Sequence, residues 1–504
     1  MLIKAILEVL HPNILIFTLL GVVVGAVIGA LPGLSATMGV ALLTPLTFWL
    51  SPTQGMAVLL GIYNSAIWAG GITAILINVP GTPASIAQTF DGYKMVQHGQ
   101  AGLALGINTI YSVIGGLFST LVLILVAFPV AKFALRFGPA EYFALVIFGL
   151  SMMISVSGKE ITKGLIAGII GLMIITIGLD PMFATPRFTF GNVNLLSGVS
   201  FIPVMVGMFG IGEVLTQIFD KTDVKEDVKK VVANIKEIGR IFPTFKEFKI
   251  TALPSLIAAV ISVIIGAIPG IGGDIAGIVC WQQGKQMSKH PEEYGNGSIE
   301  ALAVTSLANN GVIGGAMTTM MTLGIPGDSV TAVLLGSLMM YGMQPGPLLF
   351  TSHANFVYNV MALMIVGNLL ILVLGLLATR KSALLLNMKQ EIIWIIVILF
   401  CILGSYALNN SLFDVMLMFM AGILGFIFKK MDIPIGPFIL ALVLGPLAES
   451  NFRRSLALSR GSYLIFVSSP ISVILLILTA MALFPEPIKR FIRLIKGKKL
   501  EAKT

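Results

Sequence analysis

Four Pro-Gly pairs stand inside otherwise apolar sequence, at 32–33, 80–81, 269–270 and 326–327. Residues able to bind ions follow each of them. Ser35 and Thr37 follow Pro32-Gly33, Thr82 and Ser85 follow Pro80-Gly81, Asp274 follows Pro269-Gly270, and Asp328 follows Pro326-Gly327. Proline removes a backbone donor and collides with the preceding turn, and glycine admits backbone angles that other residues resist, so each pair interrupts a helix. A helix that restarts beyond the interruption aims unpaired N–H groups and the positive end of its dipole forward. That is anion-binding chemistry built without lysine or arginine. Its candidate residues are Pro32, Gly33, Ser35, Thr37, Pro80, Gly81, Thr82, Ser85, Gly270 and Gly327, with Asn64 and Ser65 as polar positions in the neighbouring apolar run. Asn78 is a weaker candidate of the same kind. A lone Ser or Thr in a membrane helix more often caps or bonds back to the preceding turn; recurrence at successive breaks is what favours binding.

Asp274 and Asp328 occupy the places that Thr37 and Thr82 hold in the first half of the chain. A carboxylate near the centre of a bilayer costs about 2.5–3.5 kcal/mol on insertion scales, so it has a partner or a task. With Asn309, Asn310 and the carbonyls that a broken helix exposes, Asp274 and Asp328 can hold a sodium ion or take a proton; the plainer alternative is that each caps a helix. No other cofactor is expected. Glu213 and Glu449 stand at the ends of apolar segments and fit an interfacial position. Asp91 and Lys94 fit a mutual pair in a polar loop. His11, His98, His290 and His353 are too scattered for a metal site, and the Met-rich stretch 317–321 fits packing. Neither H-E-x-x-H, a G-x-S-x-G elbow nor G-x-x-x-x-G-K-[ST] occurs, which argues against an enzyme or a nucleotide-driven pump.

The elements that must position these residues are membrane helices. The chain is 56% hydrophobic and 11% charged, where soluble proteins are about a quarter charged. Apolar runs near the roughly 20 residues that cross a bilayer recur at 14–30, 110–130, 360–377 and 463–483. They do not alternate as barrel strands do, so the expected class is an all-α polytopic membrane protein. The first run follows a nearly uncharged N-terminus and lacks a small-residue exit, which fits a retained span rather than a leader. Cys280 and Cys401 lie in apolar segments and fit buried thiols. The net charge of +9 comes from loop residues, as the positive-inside rule expects, and does not point to nucleic acid.

Landmarks of similar kind recur in the same order in two halves. GALPG at 29–33 answers GAIPG at 266–270; Asn64, Gly70-Gly71 and Pro80-Gly81 answer Asn310, Gly314-Gly315 and Pro326-Gly327; AGIIG at 167–171 answers AGILG at 421–425. The expected organisation is a first membrane repeat at 1–219, a polar cytoplasmic linker at 220–250, a second repeat at 251–460, and a final helix with a basic cytoplasmic tail at 461–504. If linker and tail share one side, each repeat crosses an odd number of times and the second is inverted, a plan common among secondary transporters. The breaks would then be discontinuous helices or re-entrant hairpins, because non-helical backbone at membrane depth needs protein or a water-filled cavity around it. Arg453, Arg454 and Arg460 oppose this orientation, since they would lie outside.

GALPGLSATMGVALLTP, NVPGTPASIAQTFDGY, FIPVMVGMFGIGEVL at 201–215, GAIPGIGGDIAG and LALVLGPLAESNFRRSL at 440–456 together resemble the large membrane subunit of the bacterial tripartite tricarboxylate transporters, the TctA family, from about residue 15 to 460. The resemblance implies a permease in the bacterial inner membrane that imports small carboxylates, citrate-like di- or tricarboxylates, by sodium or proton symport. It also implies a small four-helix membrane subunit and an extracytoplasmic solute-binding protein as partners. A stand-alone carboxylate carrier, exchanger or exporter is the alternative.

Overall fold

The computed structural model describes residues 1–31, 33–156, 161–180, 182–220, 239–270, 272–379 and 390–483. Pro32, residues 221–238 of the central polar segment and the basic tail fall outside them. In chain order the α-helices are α1 (Leu2–Val9), α2 (Pro12–Gly29), α3 (Ala36–Thr47), α4 (Pro52–Ile77), α5 (Ile86–Gln97), α6 (Ala101–Ala134), α7 (Pro139–Val156), α8 (Ile161–Ile174), α9 (Phe201–Val206), α10 (Gly212–Asp220), α11 (Phe245–Ala267), α12 (Gly272–Met287), α13 (Ile299–Leu323), α14 (Ser329–Met340), α15 (Leu349–Ser352), α16 (Ala354–Ala378), α17 (Gln390–Asn409), α18 (Leu412–Lys430), α19 (Ile435–Leu458) and α20 (Pro470–Leu483). A π-helical turn, Gly207–Ile211, joins α9 to α10. Among the described residues nine helical stretches are long and apolar enough to cross a membrane, so the chain is an all-α multi-pass membrane protein.

The chain divides into two compact units, each drawing helices from both halves of the sequence. One comprises Met1–Leu135 with Ser200–Met431, the other Arg136–Val199 with residues from Asp432 onward. In the first unit α4 and α13 form the core. α2 packs along α4 and α11 along α13, while α16 lies against α4 and α6 against α13. Small residues let the backbones approach, which is how membrane helices associate when lipid removes the hydrophobic drive between them. A Cβ on Gly29 would strike the Ala66 carbonyl, and one on Gly266 would strike that of Val312. Ser65 fills the gap at Gly25 in one seam, and Ser262 fills the gap at Gly311 in the other.

The two core helices begin and end alike. Ser51 caps α4 in a box with Gln54, and Ser298 caps α13 through the Ala301 N–H. Asn78 (φ 58°) and Gly324 (φ 71°) end them in the left-handed conformation, the usual helix stop. Each stop precedes a Pro-Gly pair by one intervening residue.

In the second unit α19 packs on α7 and α8, and α20 on α7. Its loop carries a two-residue antiparallel pairing of Gly178–Leu179 with Pro186–Arg187. Asp180 holds that loop: its Oδ1 accepts from the Met182 and Phe183 N–H groups (both 2.9 Å), and its Oδ2 meets Arg453 at 2.8 Å. The Phe183 and Met182 N–H groups, with Arg453 beside them, hold its carboxyl below the usual carboxylate range. Glu449, expected to be interfacial, joins the same network through Arg187 and Arg453. The last apolar run also differs from expectation. Residues Tyr463–Val467 make a 3₁₀ turn, and the helix starts only at Pro470, where a first-turn proline costs no hydrogen bond.

Candidate functional site

The four breaks are built from local capping chemistry. After α2, Gly33 turns with φ 88°, Ser35 is extended, and its Oγ accepts from the Met38 N–H at 3.1 Å to start α3. After α4, Gly81 donates to the Gly70 carbonyl (3.2 Å), which folds the chain back onto α4. Ser85 Oγ accepts from the Thr82 N–H (3.3 Å) and donates to the Thr82 carbonyl (2.7 Å), and α5 follows. Before α12, Gly270 donates to the Gly327 carbonyl at 2.8 Å, tying the third break to the fourth. Asp328 starts α14, accepting at Oδ1 from the Thr331 N–H (2.7 Å) and hydroxyl (2.6 Å).

These breaks meet. A Cβ on Gly81 would strike the Gly29 carbonyl, and one on Gly327 would strike that of Gly266. The same contact therefore joins first break to second and third to fourth. A Cβ on Gly272 would come 2.8 Å from Asp328 Cβ, and those on Gly273 and Gly277 would come 3.1 and 3.0 Å from the Cβ atoms of Ala84 and Ala87. α14 packs on α3 in turn. The starts of α12 and α14 and the turn at 82–85 thus gather beside α4 and α13, while α3 packs along α4 and α14 and Gly33 before it lies against the Gln217 side chain. Thr37, half-buried on α3, takes no hydrogen bond from a described residue.

Behind the breaks lies a buried polar layer. Asn309 donates to the Ile67 carbonyl (3.2 Å) and Asn310 to that of Asn64 (3.4 Å). Asn64 donates to Leu60 O (2.8 Å), and Ser65 donates to Gly61 O (2.7 Å). Four residues of this region carry no signal in the sequence. Gln88 donates to Asn108 Oδ1 (2.7 Å) and Ser306 Oγ (3.0 Å), Asn108 to the Trp68 carbonyl (3.2 Å), and Asn368 to Asn64 Oδ1 (3.5 Å). Tyr63 donates its hydroxyl to Asp328 Oδ2. They stand on four different helices, α5, α6, α16 and α4, and only packing collects them.

The two aspartates differ. Both oxygens of Asp328 are engaged, one by the cap and one by Tyr63. Asp274 lies in the first turn of α12, is exposed, and takes no hydrogen bond from a described residue. Asn78 is the left-handed stop of α4 and is exposed. The expected Asp91–Lys94 pair is not formed. Asp91 is buried on α5 and accepts from the N–H groups of Gly295, Gly297 and Ser298 (2.9, 3.0 and 2.8 Å) and from Trp281 Nε1 (2.8 Å). A carboxylate saturated by four donors has no need of a cation. Glu213 pairs with Lys429. Among the described residues no group of three His, Cys, Asp or Glu is placed to hold a metal.

The model of the tripartite tricarboxylate transporter TctA family matches residues 15–440. An uncharacterized 52.8 kDa protein from the TAR-I region of Agrobacterium vitis is 35% identical over 467 residues, covering 93% of this chain and 92% of that protein. An uncharacterized protein from the TAR-II region of the same organism is 34% identical over 213 residues, 42% of this chain and 88% of its own length. No solved structure matches the chain significantly.

Proposed function

Because this chain belongs to the tripartite tricarboxylate transporter TctA family, and is thereby a membrane transport protein, we propose that it is the permease subunit of an ion-driven uptake system for small carboxylates of the citrate-like di- and tricarboxylate class. In this reading it works beside a small four-helix membrane subunit and receives substrate from an extracytoplasmic solute-binding protein. The substrate's carboxylates sit at the helix starts after the first two breaks, served by N–H groups and by Ser35, Thr37, Asn64, Ser65, Thr82 or Ser85. Sodium or a proton couples through Asp274, Asp328, Asn309 and Asn310. The halves 1–219 and 251–460 are inverted repeats that move against each other around this site, joined by the cytoplasmic linker 220–250 and followed by residues 461–504.

The observation that carries this reading is the gathering of the breaks in a region free of fixed positive charge. No lysine or arginine occurs between Lys4 and Lys94, or between Lys289 and Arg380. An anion bound there must rely on helix ends, each contributing about 0.3–1 kcal/mol when exposed and up to about 2 when partly buried, so several must converge. The test is uptake of labelled citrate, tartrate and succinate into proteoliposomes holding the chain, its small partner subunit and the cognate binding protein. Accumulation under an inward sodium or proton gradient, abolished when the binding protein is omitted, is the expected result. Accumulation without the binding protein would favour a stand-alone carrier, and no gradient-dependent uptake of any carboxylate would overturn the proposal.

A further inference from the structure

The turn Ile67–Gly71 of α4 is surrounded by oxygen atoms that accept nothing. Asn309 donates its amide N–H to the Ile67 carbonyl. Thr82 Oγ1 and Gln88 Oε1 lie 2.5 Å from where Cβ atoms on Gly70 and Gly71 would stand, so the two glycines leave room for both. Asn309, Thr82 and Gln88 are exposed by 0%, 3% and 1%, and Asn309 Oδ1, Thr82 Oγ1 and Gln88 Oε1 have no hydrogen-bond partner. The amide orientations are dictated. A backbone carbonyl only accepts, so the Asn309 nitrogen is the atom that meets Ile67, and its oxygen is the atom left without a donor. Asn108 is fixed in the same way by the Trp68 carbonyl, and its oxygen then demands the Gln88 nitrogen. Turning either amide over would set acceptor against acceptor.

The counterpart pair, related by the repeat, shows what is missing. The offset of 246 residues that carries Asn64 to Asn310 and Gly81 to Gly327 also carries Tyr63 to Asn309 and Thr82 to Asp328. Across the two halves a tyrosine hydroxyl reaches a carboxylate, Tyr63 of α4 to Asp328 at the start of α14. At the corresponding pair, Asn309 and Thr82, the side chains are short and neutral, and both oxygens are left over. Buried polar atoms cost free energy unless something compensates them, and two amide oxygens that only accept, beside a hydroxyl that can turn its lone pairs to a cation, suit an electropositive guest.

We propose that the Ile67–Gly71 turn floors a sodium site whose side-chain ligands are Thr82 Oγ1, Gln88 Oε1 and Asn309 Oδ1. This rests on the ion-coupled reading above and transfers the ion from the aspartates to neutral oxygens. Oxygen donors suit hard cations. The set contains no carboxylate, so a divalent ion would bury two uncompensated charges, whereas a monovalent ion leaves one. That single charge, uncancelled by its ligands, attracts an anion held at the adjoining helix starts. The ligand from the second break, Thr82, would make ion occupancy and the shape of that break depend on each other.

The experiment is thermal unfolding of the purified full-length protein, titrated with NaCl against choline chloride at constant ionic strength, with KCl and CaCl₂ as separate arms. The wild type should show a saturable rise in Tm with sodium and none with choline or calcium. Thr82→Val should move the sodium midpoint at least tenfold higher, while Thr82→Ser, which keeps the oxygen, should stay within threefold. If Thr82→Val yields no folded protein, Gln88→Met is read in the same way. Asn309→Asp, by adding a charge, should bring a calcium response. No sodium-specific shift in the wild type means that water fills the site, and a shift untouched by Thr82→Val places the ion elsewhere; either overturns the assignment. Proton-driven carboxylate uptake without a sodium shift would sink this inference alone, and an intact sodium shift without any uptake would sink the transport reading alone.

Discussion

Asp274 and Asp328 look interchangeable in the sequence, each just past a Pro-Gly break, yet they have different surroundings. Asp328 gives one oxygen to the start of α14 and the other to Tyr63, a residue 265 positions away. Asn also caps helices well, so Asp328→Asn loses mainly the charge-assisted bond to Tyr63. Hydrogen bonds to charged groups contribute about 1.5–3 kcal/mol net, and the variant should be destabilised by about 1–2 kcal/mol. Asp274 takes no hydrogen bond from a described residue and is exposed. Asp274→Asn should change stability by less than about 0.5 kcal/mol, as exposed substitutions do, and should alter the dependence of initial uptake rate on sodium or pH. Unfolding midpoints and uptake rates of both variants check this. A larger stability loss at Asp274, or wild-type ion dependence in its variant, would make it a mere first-turn acid and leave coupling to other groups.

The elements are held together by seams of small residues, and these seams make the breaks meet. Gly21, Gly25 and Gly29 face α4 at every fourth position of α2, and a Cβ on the last would run into the Ala66 backbone, which cannot swing aside as a side chain can. Overpacking of this kind costs about 1–3 kcal/mol, so Gly29→Ala should lower stability by that amount. Val23→Ala, on the exposed side of the same helix, should stay within about 0.5 kcal/mol. Equal effects in unfolding measurements would mean that α2 is not seated as described. The helix ends are legible in the sequence because Pro and Gly act through local backbone sterics, and so is the correspondence of Asn64 with Asn310. The buried polar layer is not. Gln88, Asn108 and Asn368 lie on separate helices, and nothing local marks them as neighbours. The partners of Asp91 are hidden for the same reason: its donors at 295–298 lie some two hundred positions away, while Lys94 stands only one helical turn along the chain.

At the scale of the whole molecule the governing fact is charge. The chain carries +9 overall, but the stretches that form the core and the breaks hold no lysine or arginine between Lys4 and Lys94 or between Lys289 and Arg380. An anionic substrate there is not neutralised by fixed cations, so the charge that crosses is set by the ions that travel with it. Moving one unit charge through 100 mV is worth about 2.3 kcal/mol, and a tricarboxylate entering alone against a negative interior would face about 7 kcal/mol. For the potential to drive entry, cations in excess of the substrate's own charge must accompany it, and one neutral-oxygen sodium site is too few for a trianion. Further sodium ions, or protons carried on the substrate or on Asp274, must make up the difference. The expected outcome is electrogenic uptake: in proteoliposomes holding the complete system, an interior-negative potassium diffusion potential set with valinomycin should raise the initial rate, and an interior-positive one should lower it. If the rate ignores the sign of the potential, net charge movement is zero and the cations only balance the substrate. If an interior-negative potential slows entry, the anion crosses undercompensated, and a symporter that concentrates carboxylates is the wrong description of this molecule.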